Sequence, residues 1–436
     1  MSQAFVIFTG RATHAVPALQ RERETLNEAE LVEIEAWLDA QGICGASESD
    51  MLNGFCERCV AAGITLERAN TFVDTLHPIY EGRVFLWRRE GELERPIIEY
   101  GSSQVGESAE NWRASTFYHL LQRGEVEMRM RLTANETLSF KQLATMREEG
   151  CTDYLALIVH FSSRGSIGEM DGFYSSWVSD GPEGFADADI RALRRLVPGL
   201  ALAMKCASLT RIVRTLAEVY LGQDAAKRVL AGRINRGAAD RIEAVLWYSD
   251  LRDYTRISDA AAPDEIIPML NDYAEAVISS INEMGGDVLK LIGDGTLAIF
   301  TDSDSVEAAT AALRAQALLR KKLVILNRQR TEAGQPATNV YLGLHIGEVF
   351  FGNIGSDTRL DFTVVGPAVN EVSRIASMCR SVDQEILISE RFAMILPDPF
   401  RSKLVCVGRF ALRGVGQAQE LFTIDPAIIR KVMASA

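Results

Sequence analysis

The sequence predicts an α+β protein of more than one domain, and three observations carry that prediction. A chain of 436 residues exceeds what one hydrophobic core usually organises, so two or three domains are expected. In the N-terminal half, runs of strand period are framed by helical patterns at both ends. From about residue 240 the pattern restarts, and strands and helices alternate as two β-α-β halves.

Residues 26–63 read as two short amphipathic helices. Leu31, Ile34, Trp37 and Leu38 recur at three and four, Leu52, Phe55, Cys59 and Val60 repeat the spacing, and 42–49 is a loop. After Gly63 the period shortens to strand runs at 68–76, 83–89 and 96–100, then 154–161 and 172–178. The turn Ser179-Asp180-Gly181-Pro182 leads into an amphipathic helix from Asp187 to about Leu209. This arrangement is similar to a GAF domain, which implies a sensor. From Leu209 to Ile234, apolar residues at helical spacing, interrupted by Gly222, read equally as a connecting helix or as a surface helix of one domain.

After the turn at Asn235-Arg236-Gly237 come a strand (242–249), a helix (263–284), a hairpin (288–292 and 296–300 around Gly293-Asp294-Gly295) and a long helix (305–332). Strands at 340–346, 349–351 and 362–365, a helix at 367–379 and closing strands near Ile386 and Val405 complete the set. The expected core is ferredoxin-like with appended elements, a fold that names no function by itself.

Composition narrows the function classes. With 59 acidic against 46 basic residues, the net charge of −13 argues against a broad footprint on nucleic acid or anionic lipid. Seven cysteines without framework spacing point to a reducing compartment, and the expected location is the cytoplasm. The patch Phe5 to Phe8 lacks a basic flank and a long apolar core, so no signal peptide is expected. The stretch 196–209 contains Pro198 and Lys205 and falls short of the roughly 20 residues of a spanning helix, so no membrane span is expected.

Two acids end apolar strands and enter turns: Asp250 after Val245-Leu246-Trp247-Tyr248-Ser249, and Asp294 within Lys290-Leu291-Ile292-Gly293-Asp294-Gly295. On adjacent strands they would lie side by side as paired hard oxygen ligands, suited to Mg²⁺ or Mn²⁺ with positions left open for phosphates. Taken singly, each is more often a turn or cap residue; the pair is what points to metal. Leu251-Arg252-Asp253-Tyr254-Thr255 turns from strand into helix, where free N–H groups and the Thr255 hydroxyl suit a triphosphate, and where Asp253 or Thr255 also suits an N-cap. Asn370 and Arg374, four apart on a helix after a Gly-Pro turn, share one face. An amide and a guanidinium so placed can orient a ribose and stabilise phosphoryl charge, or simply form solvated surface.

Three strings now stand in order: Tyr248 to Thr255, Lys290 to Gly295, and Asp361-Phe362-Thr363-Val364-Val365-Gly366 continued through Asn370 and Arg374. Together they resemble the signatures of class III adenylate and guanylate cyclases over roughly 185 residues of the chain. The resemblance implies that Asp250, Asp294 and the Leu251 carbonyl hold two metal ions per active site. It implies that Lys290 and Thr363 read the purine, and that Asn370 and Arg374 orient the ribose and stabilise the transition state. Arg359 falls near a phosphate-binding arginine of the family. An ammonium donates to adenine N1 and a hydroxyl accepts from N6, whereas guanine presents the opposite pattern, so ATP is the expected substrate. Two departures bear on the triphosphate: Asp253 stands where the family commonly has Gly, and Val415 where many members have Lys, with Arg413 a possible substitute. Gly285-Gly286-Asp287 is like the turn of diguanylate cyclases, but Val288-Leu289 replaces the Glu-Phe expected next.

On that resemblance the expected domains are a regulatory domain (1–205), a helical connector (206–239) and a cyclase domain (240–436). The implied activity is conversion of ATP to cyclic AMP and pyrophosphate in a homodimer with shared sites; the rival readings are a guanylate cyclase and a silent ATP-sensing module. The signal at the N-terminal domain is not legible. Cys56-Glu57-Arg58-Cys59 with Cys44 nearby invites a redox or metal-cluster reading, against two half-buried cysteines on a helix face. His77 and His119 are isolated and read as structural.

Overall fold

The computed structural model describes residues 27–91, 93–133, 139–161 and 170–425. The apolar patch at Phe5 to Phe8, and with it the reading of no signal peptide, lies outside them. The chain divides into two compact units, Met1–Leu216 and Ala217–Ala436.

The first unit runs α1 (Glu28–Cys44), α2 (Glu48–Ala61), β1 (Arg68–Asp74), β2 (Gly82–Arg88), β3 (Ile97–Tyr100), α3 (Gly106–Arg113), α4 (Thr116–Arg123), β4 (Glu127–Arg131), α5 (Lys141–Glu148), β5 (Asp153–His160), β6 (Gly172–Ser179) and α6 (Asp187–Leu221). Among the described residues its strands form one antiparallel sheet in the order β3-β2-β1-β6-β5-β4. Alternation along the strands feeds two cores. Phe85, Trp87, Phe173 and Trp177 pack with α1, α2 and α6, while Tyr154, Ile158, Tyr174 and Val178 pack with α4 and α5. Both faces are therefore covered by helices.

Three sequence expectations change here. Helix α6 continues through Pro198 and on to Leu221, because Ile190, Leu193, Leu196, Val197, Leu200, Met204 and Ile212 keep one apolar side in the core. That makes α6 long and apolar enough to cross a membrane, by length and composition alone, although its buried residues belong to the core of this unit. Cys56 and Cys59 are fully buried, and burial pushes both thiols up, Cys56 well above the usual thiol range, so neither favours the thiolate that metal or redox chemistry needs. Cys44 is exposed and donates to the Gln41 carbonyl, and no group of three His, Cys, Asp or Glu able to hold a metal occurs among the described residues. His77 stacks on Tyr80 and accepts from Ile79 N–H, and His119 meets Phe140 edge-on.

The second unit continues with α7 (Gln223–Leu230), β7 (Ala239–Leu251), α8 (Tyr254–Ala260), α9 (Pro263–Glu283), β8 (Asp287–Ile292), β9 (Gly295–Phe300), α10 (Ser305–Glu332), β10 (Val340–Gly355), β11 (Leu360–Val365), α11 (Pro367–Ser381), β12 (Ile386–Ser389), α12 (Glu390–Ile395), α13 (Asp398–Arg401), β13 (Leu404–Phe410) and β14 (Gln419–Ile424). The strand order is β13-β14-β12-β10-β7-β9-β8, with β11 paired to the far end of β10. The four strands at one end of this order, β10-β7-β9-β8, with α9 and α10 as crossovers, are the expected ferredoxin-like core. Val245, Trp247, Ala298 and Phe300 point to α9 and α10; Ala244, Leu246, Leu297 and Ile299 point to the opposite layer, where α11 and the β10–β11 hairpin lie.

The sequence divides 340–351 into two strands at Gly347-Glu348, yet β10 is continuous over 340–355. Glycines occur there because α11 crosses closely: a Cβ at Gly343 would sit 2.7 Å from the Val372 carbonyl and 2.8 Å from the Ala376 nitrogen. Gly343→Ala must therefore lift α11 off the sheet. Chemical denaturation should show a loss of about 1–3 kcal/mol in the stability of the second unit, and an unchanged midpoint would mean that the helix does not seat on this strand.

Candidate active site

Strand β7 ends at Asp250 and Leu251, and its neighbour β9 pairs with it from Ser249↔Thr296 to Val245↔Phe300. This register carries the β8–β9 turn, and Asp294 within it, to the end of β7. The approach is close because Gly295 lacks a side chain: a Cβ there would lie 3.1 Å from the Ser249 carbonyl and 3.3 Å from Asp250 Oδ1. The carboxylate of Asp294 lies within hydrogen-bonding reach of Asp250, and no ion pair reaches either acid among the described residues.

Two carboxylates cannot both ionise freely at contact. Burial first, then the hydrogen bond and charge of Asp294, push Asp250 up to about 7, against a smaller opposing effect of the Leu251 N–H. Burial and the same two acids also raise Tyr248. This donor set, two hard oxygens side by side, half-buried and without a counter-charge, fits a divalent ion of the Mg²⁺ or Mn²⁺ kind. Asp250 and Asp294 would hold it, with the Leu251 carbonyl next along the chain.

The turn after β7 explains one departure. Asp253 has φ 56° and ψ 26°, a left-handed conformation that glycine adopts without strain, which accounts for glycine as the usual residue there. Its carboxylate makes no cap hydrogen bond to α8; it lies 3.9 Å from Arg252, 3.9 Å from Arg256 and 3.7 Å from Arg380. The negative charge is thereby offset by three guanidiniums. Thr255 is exposed in the first turn of α8. A concavity of about 360 Å³ opens beside this turn, lined by Arg252, Asp253, Arg256, Asn327 and Thr338 among others.

On the other layer, Lys290 of β8 pairs with Asp361 of β11. Thr363, two residues along β11, is nearly buried, and Phe362 and Val364 alternate with it into the core that holds Leu289 and Leu297. Asn370 and Arg374 are both exposed on α11, opposite the buried Val372, Ile375 and Ala376, and Arg374 has no ion pair among the described residues. Neither contacts Asp250 or Asp294. Arg359 sits exposed in the β10–β11 turn and Arg413 exposed after β13, each without a side-chain partner among the described residues. Val415 packs with Met378, Val382 and Phe410 under the end of α11, which is why an apolar residue stands there.

One group escaped the sequence reading, and another takes a role that reading did not assign. His345 is buried in β10, with Nδ1 2.8 Å from Ser389 Oγ and Nε2 3.5 Å from Glu371, and Gln419 holds the other oxygen of Glu371. Burial pushes His345 down to about 4 despite Glu371, so it is neutral near pH 7 and ties α11 to the sheet beside Asn370. Nothing in the local sequence marks it, since its partners are distant in the chain. Asp287, the acid of the Gly-Gly-Asp turn, accepts from the N–H groups of Gln223 (3.0 Å) and Asp224 (3.4 Å) and so caps α7.

A ferredoxin-like sheet ending in paired carboxylates, with an Asn–Arg helix alongside, has the elements of a metal-assisted phosphoryl-transfer site. Residues 238–425 match the family described as the adenylate and guanylate cyclase catalytic domain. This part of the chain is a class III adenylate/guanylate cyclase catalytic domain. Over 195 residues the chain is 36% identical to an adenylate cyclase of Anabaena cylindrica, covering 45% of this chain and 37% of that one. It is 26% identical over 164 residues to adenylate cyclase 1 of Rhizobium meliloti, covering 37% and 25% respectively. The chain thus spans little more than a third, at most, of the length of these curated relatives. Among solved structures, it is similar to the adenylyl cyclase CyaB from P. aeruginosa (25% identity, 43% of this chain and 95% of that one, TM-score 0.39). It is also similar to the guanylyl cyclase Cya2 (27% identity, 43% and 93%, TM-score 0.38).

The carboxylate pair makes a signed prediction. Asp250 has a raised folded-state pKa, so in the metal-free protein its contribution to stability is full below pH 4 and is lost as pH rises through about 7. Asp250→Asn removes that loss: at pH 8 without metal, the variant should melt a few degrees higher than the parent. Mn²⁺ should raise the parent's Tm and leave the variant's unchanged. Calorimetry with and without Mn²⁺ checks both, and a variant less stable than the metal-free parent at pH 8 contradicts the electrostatic account.

Proposed function

We propose that this protein is an adenylate cyclase that converts ATP to 3′,5′-cyclic AMP and pyrophosphate as a homodimer with two shared active sites. The observation that carries the reading is the contact between Asp250 and Asp294 at the sheet end, a repulsive arrangement that a divalent cation relieves. Mg²⁺ or Mn²⁺, when bound, would neutralise phosphate charge and acidify the ribose hydroxyl. In the reaction the ribose 3′-oxygen forms a bond to the α-phosphorus, the bond from that phosphorus to the β-phosphate bridging oxygen breaks, and the 3′-proton is released to base or solvent. Asn370 orients the ribose, and Arg374 offers a planar guanidinium to charge developing on the phosphoryl oxygens. The Thr255 hydroxyl, Arg359 and Arg413 are the candidate triphosphate contacts.

Preference for ATP over GTP rests on Lys290 and Thr363, whose ammonium and hydroxyl match adenine N1 and N6. The dimer rests on one chain holding both residue sets, with Asn370 and Arg374 making no contact to the metal pair. Exposed apolar side chains at Leu291, Ile292, Phe350, Ile354 and Val365 offer a second copy a surface to cover. The first unit is read as a regulatory domain responding to an unidentified signal, and the unpaired cysteines suit a reducing cytoplasm.

Purified protein incubated with Mn²⁺ and either ATP or GTP should yield cyclic AMP in preference to cyclic GMP. Predominant cyclic GMP would make it a guanylate cyclase, and nucleotide binding without product would make it a sensing module. Asp250→Ala and Arg374→Ala chains should each be inactive; mixed at equal amounts they should recover about one quarter of parental activity, the share of intact sites in random dimers. No recovery on mixing would refute the shared site.

A further inference from the structure

Purine reading is assigned above to Lys290 and Thr363, yet Lys290 does not stand alone. Its ammonium is bound by Asp361, a residue 71 positions away in sequence, brought to β8 by the β10–β11 hairpin. Asp361 pairs across the hairpin with Ile354 and Thr363 with Gly352, so the two lie on one side of β11. Phe362 and Val364, on the other side, anchor the strand in the core beside Leu289. Lys290 and Asp361 are each a little under half exposed in side chain, open enough to meet a ligand, while Thr363 is nearly covered.

We propose that Asp361 is the positioning residue of purine selection: it holds the Lys290 ammonium where the ring edge of adenine arrives, and so sets the preference for ATP over GTP. The inference rests on the cyclase reading and deepens it.

A lysine reaches its target through four rotatable carbons and gives up that rotamer freedom when it is fixed. An ion pair made before the nucleotide binds removes most of that cost from the binding step. An ammonium has three donors; one directed at Asp361 leaves two, and adenine N1 needs one. The carboxylate has a second consequence. Guanine presents N1–H and an amino group, donors that a bare carboxylate accepts, so Asp361 is harmless to selectivity only while Lys290 occupies it. Asp361 therefore aims the adenine-reading group and, in the closed pair, withholds a guanine-reading one.

Steady-state kinetics on the full chain with Mn²⁺ test this. Asp361→Asn should raise KM for ATP roughly tenfold while kcat changes far less, and should lower the ATP-to-GTP ratio of kcat/KM. Asp361→Glu should restore part of both, and Lys290→Ala, which uncovers the carboxylate, should increase the share of GTP turned over. Because Asp361 acts through Lys290, the double variant Lys290→Ala/Asp361→Asn should bind ATP no worse than Lys290→Ala alone. Binding of a non-cyclisable ATP analogue, followed by calorimetry, should show the same order, and melting curves identify any variant that fails to fold. Parental KM and parental selectivity in Asp361→Asn, or losses that add fully in the double variant, overturn the inference while leaving the cyclase reading intact. A parent chain that forms no cyclic nucleotide overturns the reading itself, and this inference with it.

Discussion

Two carboxylates held in contact at the end of a sheet are the constraint around which the catalytic unit is organised. Left to themselves, Asp250 and Asp294 would separate, because each ionised acid raises the cost of the other. What holds them is backbone: the β7–β9 ladder carries the β8–β9 turn to one place, and Gly295 lets it approach β7 without a side chain intervening. The fold holds two acids together at one end of the sheet, an arrangement that a divalent cation would relieve. Such local frustration is tolerable because Trp247, Ala298 and Phe300, on the buried side of the same strands, supply apolar burial of roughly 2 kcal/mol or more per large side chain.

The opposite layer is arranged by a different means. Helix α11 lies close on β10 because Gly343 and Gly347 leave no Cβ in its path, and the His345–Glu371–Gln419 network fixes it from below. With the inward face thus occupied, Asn370 and Arg374 have only the outward face available. The buried side of α11 is held by these contacts, while Asn370 and Arg374 stand on its exposed side.

The departures from family pattern become intelligible in these terms. Asp253 is a strained left-handed residue whose charge three arginines offset, so its position follows from the turn's backbone requirement together with local electrostatics. Val415 is a packing residue. Asp287, in a turn that superficially resembles another nucleotide cyclase class, serves as the cap of α7.

Much was legible in the sequence because it is local. Alternation and helical period locate most of the strands and helices to within a few residues, but not α3, α4, β4 and α5 between 101 and 153; Asp250, Asp294, Asn370 and Arg374 stand out by their places at strand ends, turns and one helix face, and Lys290 and Thr363 by the family resemblance. What the sequence could not reveal depends on contacts distant along the chain: the continuity of β10 past Gly347 and of α6 past Pro198, the burial of Cys56 and Cys59, the neutral His345 beneath α11, and the pairing of Lys290 with Asp361. Period and motif record what a residue's neighbours in sequence demand of it. Desolvation, charge pairing and close approach depend on neighbours in space, and only the tertiary structure decides those.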